Sequence, residues 1–204
     1  MSSLQEIKVQ QSVGGDMVNV QADEKGNIYT ADIARSWTAK GYGWQAMATT
    51  AIVALVVRPT TVAAATFYNN TSKNFVIDRV FGFNLLSIAN GQFGIWLCVH
   101  PIGMTAPTND MTVRNSLSGL VAGTEGIFDS AATVNDNGWF PWGISNYSIT
   151  ATVPGTVAEA EVGGRIIIPP TAGISMQSVG QTAVVTVAFG LTYYSVPVSE
   201  FARA

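Results

Sequence analysis

Two long stretches of this chain, between Arg79 and Asp110 and again between Arg165 and Glu200, contain no Asp, Glu, Lys or Arg. Neither stretch repeats its apolar residues at helical spacing. Both are instead cut into short runs of Val, Ile, Thr, Phe and Tyr by Gly, Pro, Asn and Ser, the punctuation of strands joined by turns. A chain that must bury such ribbons without alternating helices is confined to packed antiparallel sheets or a barrel. The fold class expected is therefore an all-β, antiparallel β-sandwich.

Only 11% of the 204 residues are charged, against about 25% in ordinary soluble domains. Either the surface carries unusually little charge or other protein covers it. The net charge of -3 lacks the basic field that nucleic acid binding requires. One Cys cannot form an internal disulfide, and one His cannot form a histidine metal cluster. No cofactor is expected. The opening Met1–Val13 has no basic region followed by an apolar one, which argues against a secretory signal. The uncharged segment 41–57 is short for a membrane span and is interrupted by Gly41, Gly43, Gln45, Thr49 and Thr50, so a strand pair or an interface segment fits it better.

Residues 1–40 hold four basic and five acidic side chains and read as a polar N-terminal arm, with the sandwich body in 41–204. Within the arm, Met17–Val20 and Ile28–Thr30 flank the turn-forming Asp23–Asn27, which predicts a small hairpin. The best helical segment is Ile33–Thr50, weakened by Gly41 and Gly43. In the body, strands are expected at Val62–Tyr68, Phe75–Ser87, Phe93–His100, Tyr147–Val153, Val157–Ile168, Gly173–Val179 and Thr182–Val196. Asn90-Gly91 between two of them predicts a tight hairpin. Residues 101–145 read as a long loop-rich region. Several strands are apolar on both faces: Phe93, Ile95, Leu97 and Val99 alternate with Trp96, Cys98 and His100. A lone sandwich keeps one face of each sheet polar, so a partner subunit is the simplest cover for the outward faces.

The chemistry-bearing residues are sparse. His100 ends an apolar strand with no carboxylate near it in sequence, and a packed or solvated histidine is the better reading than a general base. Glu159 and Glu161 share a strand face, and Asp129 and Asp136 precede them. Such carboxylates can perform glycosidic acid–base work or hold calcium, but no Asp/Asn/Gly loop pattern supports either, and solvated acids fit better. No nucleotide-binding or hydrolase motif occurs. The most unusual composition is Asn137-Gly138-Trp139-Phe140-Pro141-Trp142-Gly143. Trp139, Phe140 and Trp142 on a turn-rich loop would plug one end of the fold, anchor a contact between subunits, or stack on sugar rings. Asn69, Asn70 and Asn146 head glycosylation-type triplets that, without a secretory signal, are ordinary turns.

The run Thr66–Val80, with its Asn/Thr/Ser/Lys turn and Val-Ile-Asp-Arg-Val strand, and the run Gly164–Met176 leading into Ala183–Tyr194, resemble the jelly-roll structural proteins of bacteriophage virions, of the decoration, cement and head-fibre type. The likeness spans roughly residues 60–196 and rests on strands and turns; the segment 41–57 and the aromatic run have no counterpart in it. It implies a jelly-roll body, trimeric or otherwise symmetric, made in the host cytoplasm and attached to a capsid by its arm. The expected partners are copies of itself and other capsid proteins, with neither nucleic acid nor membrane. The expected function is a non-enzymatic virion protein that decorates, cements or forms part of a capsid. The alternative is a carbohydrate-binding sandwich for receptor recognition, with Trp139, Phe140 and Trp142 as its stacking residues.

Overall fold

The computed structural model describes residues 8–10, 17–19, 33–83, 93–108, 111–121, 125–144, 157–181 and 185–201. It is the antiparallel β-sandwich that the alternating apolar runs require. The elements are β1 (Lys8–Gln10), β2 (Met17–Asn19), α1 (Ile33–Ala39), β3 (Gly43–Met47), β4 (Ile52–Val53), β5 (Ala65–Tyr68), β6 (Asn74–Phe83), β7 (Phe93–His100), β8 (Val113–Asn115), β9 (Ile127–Ser130), β10 (Trp139–Ile144), β11 (Val157–Ile168), β12 (Gly173–Gly180), β13 (Thr186–Val196) and α2 (Val198–Phe201). One sheet has five strands in the order β10-β7-β12-β5-β9; the other has six, counting β4 beside β13, on the path β11-β6-β13-β3-β8. Every pairing between these strands is antiparallel.

The core lies between the sheets, where alternate residues of each strand meet. Phe93, Ile95 and Leu97 of β7, Ile174 and Met176 of β12, and Phe67 of β5 face Ile77 and Val80 of β6, Val162 and Ile168 of β11, and Phe189 and Leu191 of β13. At one end Phe67 is surrounded by Phe75, Phe128 and Tyr193, with ring centroids 5.3, 6.1 and 4.6 Å away. These are the offset and edge-on geometries that aromatic quadrupoles favour.

Three local expectations change. Asn90-Gly91 lies outside the described residues, and the strands on either side of it are not hydrogen-bonded to each other: β6 pairs with β11 and β13, and β7 with β10 and β12. β6 and β7 belong to different sheets, because burial of both apolar strands outweighs the local preference for a hairpin. The N-terminal hairpin pairs Met17–Asn19 with the upstream Lys8–Gln10, whereas the downstream residues 20–32 lie outside the described set. The helix stops at Ala39, after which Gly41, at φ 79°, turns the chain into β3; segment 41–57 then supplies β3 and β4, both paired to β13. Trp37 of α1 packs on Tyr194 of β13 at 5.4 Å. The strand expected at Tyr147–Val153 also lies outside the described residues.

Candidate functional site

The outward face of the five-stranded sheet is where the chemistry-bearing residues collect. Period-two alternation turns Trp96, Cys98 and His100 away from the core, as it does Thr66 on β5 and Ser175 and Gln177 on β12. The cover for this face is the chain itself. Residues 58–63 and 131–139 are clamped together over it by hydrogen bonds from Ala63 N to Ala132 O (3.0 Å), Ala131 N to Ala64 O (3.0 Å) and Val134 N to Thr61 O (2.9 Å). The Arg58 guanidinium grips Asp136 with two bonds of 2.7 and 2.9 Å and holds its carboxyl below the usual range. Ala63, Cys98, Ala132, Val134 and Trp139 form a second apolar cluster beneath this roof. Over Cys98 and His100, then, an intramolecular layer takes the place of the subunit anticipated from the composition of this face.

Under the roof runs a buried polar row. His100 Nε2 lies 2.7 Å from Ser175 Oγ, Ser175 Oγ lies 3.0 Å from Thr66 Oγ1, and His100 Nδ1 lies 2.7 Å from Asn137 Oδ1. Because the amide oxygen only accepts, this network puts the ring proton on Nδ1 and lets Nε2 accept from Ser175. Burial pushes the imidazole below its ordinary pKa, and the bond to Asn137 offsets this in part. The order Ser–His–Asn has the connectivity of a nucleophilic triad. Burial makes it unsuited to attack on a substrate, since Ser175 and Thr66 are wholly inaccessible in mid-strand. A cleft of about 220 Å³ reaches only the His100 and Asn137 end, between Pro101, Met104 and Asn135. What this row does is fasten loop 131–138 to the sheet.

The aromatic run is a strand rather than a loop. β10 pairs with β7 through Trp139↔Cys98, Phe140↔Leu97 and Pro141↔Trp96, with a bulge between Pro141 and Gly143. Alternation therefore separates the three aromatics. Trp139 is 4% exposed, with its indole N–H donated to Thr60 O at 2.8 Å, so it is a core residue under the roof. Phe140, on the opposite face of the strand, is 65% exposed. Trp142 sits at the bulge and reaches β11, where its N–H donates to Glu161 O at 3.1 Å and the Arg165 guanidinium lies 5.6 Å from its ring. The three make no common platform. Trp142 instead shares a groove of about 400 Å³ with Trp96, Pro141, Gly94, Gly143 and Val179. Trp96 does not stand out in the sequence as a site residue; its register opposite Pro141 is the signal that identifies it, and this depends on a long-range pairing.

The carboxylates do not converge. Glu159 faces outward on the six-stranded sheet, 3.3 Å from Arg79, and Glu161 is opposite Arg79 in the register. Asp136 belongs to the roof, and Asp129 is buried on β9 opposite Thr66. Among the described residues no group of three or more His, Cys, Asp or Glu is placed to hold a metal ion, and no helix is long and apolar enough to cross a membrane. A carboxylate that sequence reading passed over, Glu125, accepts from Lys73 Nζ and Ser195 Oγ, both at 2.5 Å, while its carbonyl accepts from the Tyr193 hydroxyl. Asn69 is fully buried and all its side-chain bonds are internal. Asn70 Oδ1 accepts from Gly126 N at 2.8 Å. Asn146 lies outside the described residues.

Compared with known protein families, curated proteins and solved structures, the chain matches none.

Proposed function

We propose that this chain is a non-enzymatic structural protein of a bacteriophage virion, which assembles symmetrically with copies of itself and decorates, cements or forms part of the capsid. The observation that carries the reading is the outward face of the six-stranded sheet. Two neighbouring rungs of that face are apolar: Met47, Gly190 and Phe81 lie side by side on β3, β13 and β6, and Val157 of β11 extends the patch beside Phe83 of β6 and Ala188 of β13, which are themselves already buried. Gly190 has no room for a side chain, because a Cβ there would come 2.3 Å from the Phe81 ring; the ring lies flat across the strand. Met47 and Val157 are each about half exposed, at 51% and 50%. Large apolar side chains held on an ordered sheet face are what an interface between subunits uses, each Å² removed from water contributing about 25 cal/mol before association costs.

The sparse charge supports the same reading, since several charged side chains of the body are already engaged with one another: Arg58 with Asp136, Lys73 with Glu125, and Arg79 with Glu159. The virion setting is supported by the resemblance over residues 60–196, whose runs fall on β5, β6 and β11–β13. Light scattering coupled to size exclusion tests self-assembly. The wild type should elute with the mass of several subunits, and the double variant Met47→Glu, Val157→Lys should shift to a monomer with an unchanged thermal midpoint. A monomeric wild type at tens of micromolar overturns the assembly reading. Failure of the oligomer to sediment with capsid shells overturns its assignment to a virion.

A further inference from the structure

We infer that the groove between Trp96 and Trp142 binds neutral saccharides, taking the apolar face of a hexopyranose ring against its indoles. This is a separate property from self-assembly and uses a different face of the molecule. The groove lies on the outward side of the five-stranded sheet, at the edge the roof leaves open. Gly94, with no side chain on the outward side, leaves the floor open, and Val179, opposite Gly94 in the register, completes it. Pro141 and the two tryptophans form its walls.

Trp142 is held as a recognition surface should be. Its N–H is committed to Glu161 O, and one side of the ring is taken by Arg165, itself anchored by bonds to Val162 O (3.0 Å) and Glu161 O (2.8 Å). A partly exposed indole fixed from two directions loses little freedom when a ligand stacks on it. Trp96 supplies the complementary feature: its Nε1 lies beside Gly94, and it makes no hydrogen bond among the described residues. The site thus offers two aromatic walls, an open floor and a free N–H donor. That set suits a ring with C–H groups on one face and hydroxyls at its rim.

Among the described residues neither carboxylate nor lysine lines the groove, which favours a neutral sugar over a charged one.

The test is a screen of the full chain on an array of neutral oligosaccharides of glucose, galactose, mannose and N-acetylglucosamine, with hits followed by tryptophan fluorescence titration. At least one neutral glycan should bind. Trp142→Ala and Trp96→Ala should each weaken it about tenfold or more, Trp142→Phe should restore part of the loss, and Phe140→Ala, on the opposite face of β10, should leave it unchanged. If a tryptophan variant fails to fold, Val179→Lys, which lays a charged chain across the floor, replaces it and should abolish binding. An array without signal overturns the inference, as does binding that survives alteration of the groove. Neither result bears on oligomeric mass, so this inference and the assembly reading fail separately.

Discussion

Replacing Asn69 should cost a large share of the sandwich's stability. The side chain is fully buried. Its Nδ2 donates to Lys73 O at 2.7 Å and to Ile168 O at 2.9 Å, and its Oδ1 accepts from Thr71 N at 2.9 Å and Thr71 Oγ1 at 2.8 Å. One amide thus ties the β5–β6 turn to the end of β11. Asn69→Ala removes all four bonds. Three are part-buried and are worth about 1 kcal/mol each, because water can replace part of what is lost. The fourth leaves the Ile168 carbonyl buried without its partner, at about 1–3 kcal/mol. The sum is roughly 4–6 kcal/mol, a large share of the 5–15 kcal/mol typical of a domain.

Asn69→Asp sharpens the test. It keeps both acceptor bonds but sets a second carboxylate oxygen against two carbonyls. Burial and repulsion should raise the folded-state pKa of that new acid above its unfolded value of about 3.9. A group shifted in that direction binds its proton more tightly when folded, so the variant should regain stability as pH falls through the folded-state pKa toward 4. Urea unfolding followed by tryptophan fluorescence gives both numbers. At an m-value of about 2 kcal/mol per molar, the alanine variant should lose roughly 2–3 M in midpoint. A loss below about 0.5 M, or an aspartate variant whose deficit relative to wild type does not shrink between pH 7 and pH 4.5, would show that the turn is held by other means.

His100 titrates below its ordinary value because burial disfavours the imidazolium. The unfolded chain takes up that proton near pH 6.5 while the folded one resists, so stability present above this pH should be lost as pH falls toward the folded-state value; melting temperatures between pH 7.5 and 5 should fall for wild type and stay flatter for His100→Gln, and identical slopes refute the role given to burial. The Cys98 thiol is pushed up in pKa by burial beneath Trp139 and Ala132. An aromatic disulfide reagent should therefore modify it only at the rate at which the roof or the whole domain opens, and rapid modification of native protein would contradict the layer described over it.

How much of this was legible beforehand follows from the range of the forces involved. β7 and β11 begin and end where their apolar runs do, at Phe93–His100 and Val157–Ile168, because alternation and bounding turn residues are local properties. Gly41 and Gly43 likewise limited α1. Partner choice is not local. Asn90-Gly91 carries hairpin chemistry, yet the flanking strands found other neighbours. Three short strands, β8, β9 and β10, arise inside the stretch read as loop, since each is held by a neighbour more than forty residues away rather than by its own composition. The same applies to the polar row: His100 and Ser175 meet across 75 residues, and only the register of β7 against β12 brings them together. The aromatic run was conspicuous in sequence, but which indole would be core and which would face solvent depended on a bulge no local pattern announces.

The strand order has a consequence for how the chain is made. β12 and β13, the last two strands of the body, are each the third strand on the path of their sheet, so β5 and β7 on one side and β3 and β6 on the other have nothing between them until both have emerged from the ribosome. A nascent polypeptide that does not yet include β12 and β13 holds two split halves with open edges, a state prone to sticking to its neighbours. Closure of both sheets should be abrupt, waiting on contacts of high sequence separation. Removal of β13 alone should leave an insoluble product rather than a smaller domain.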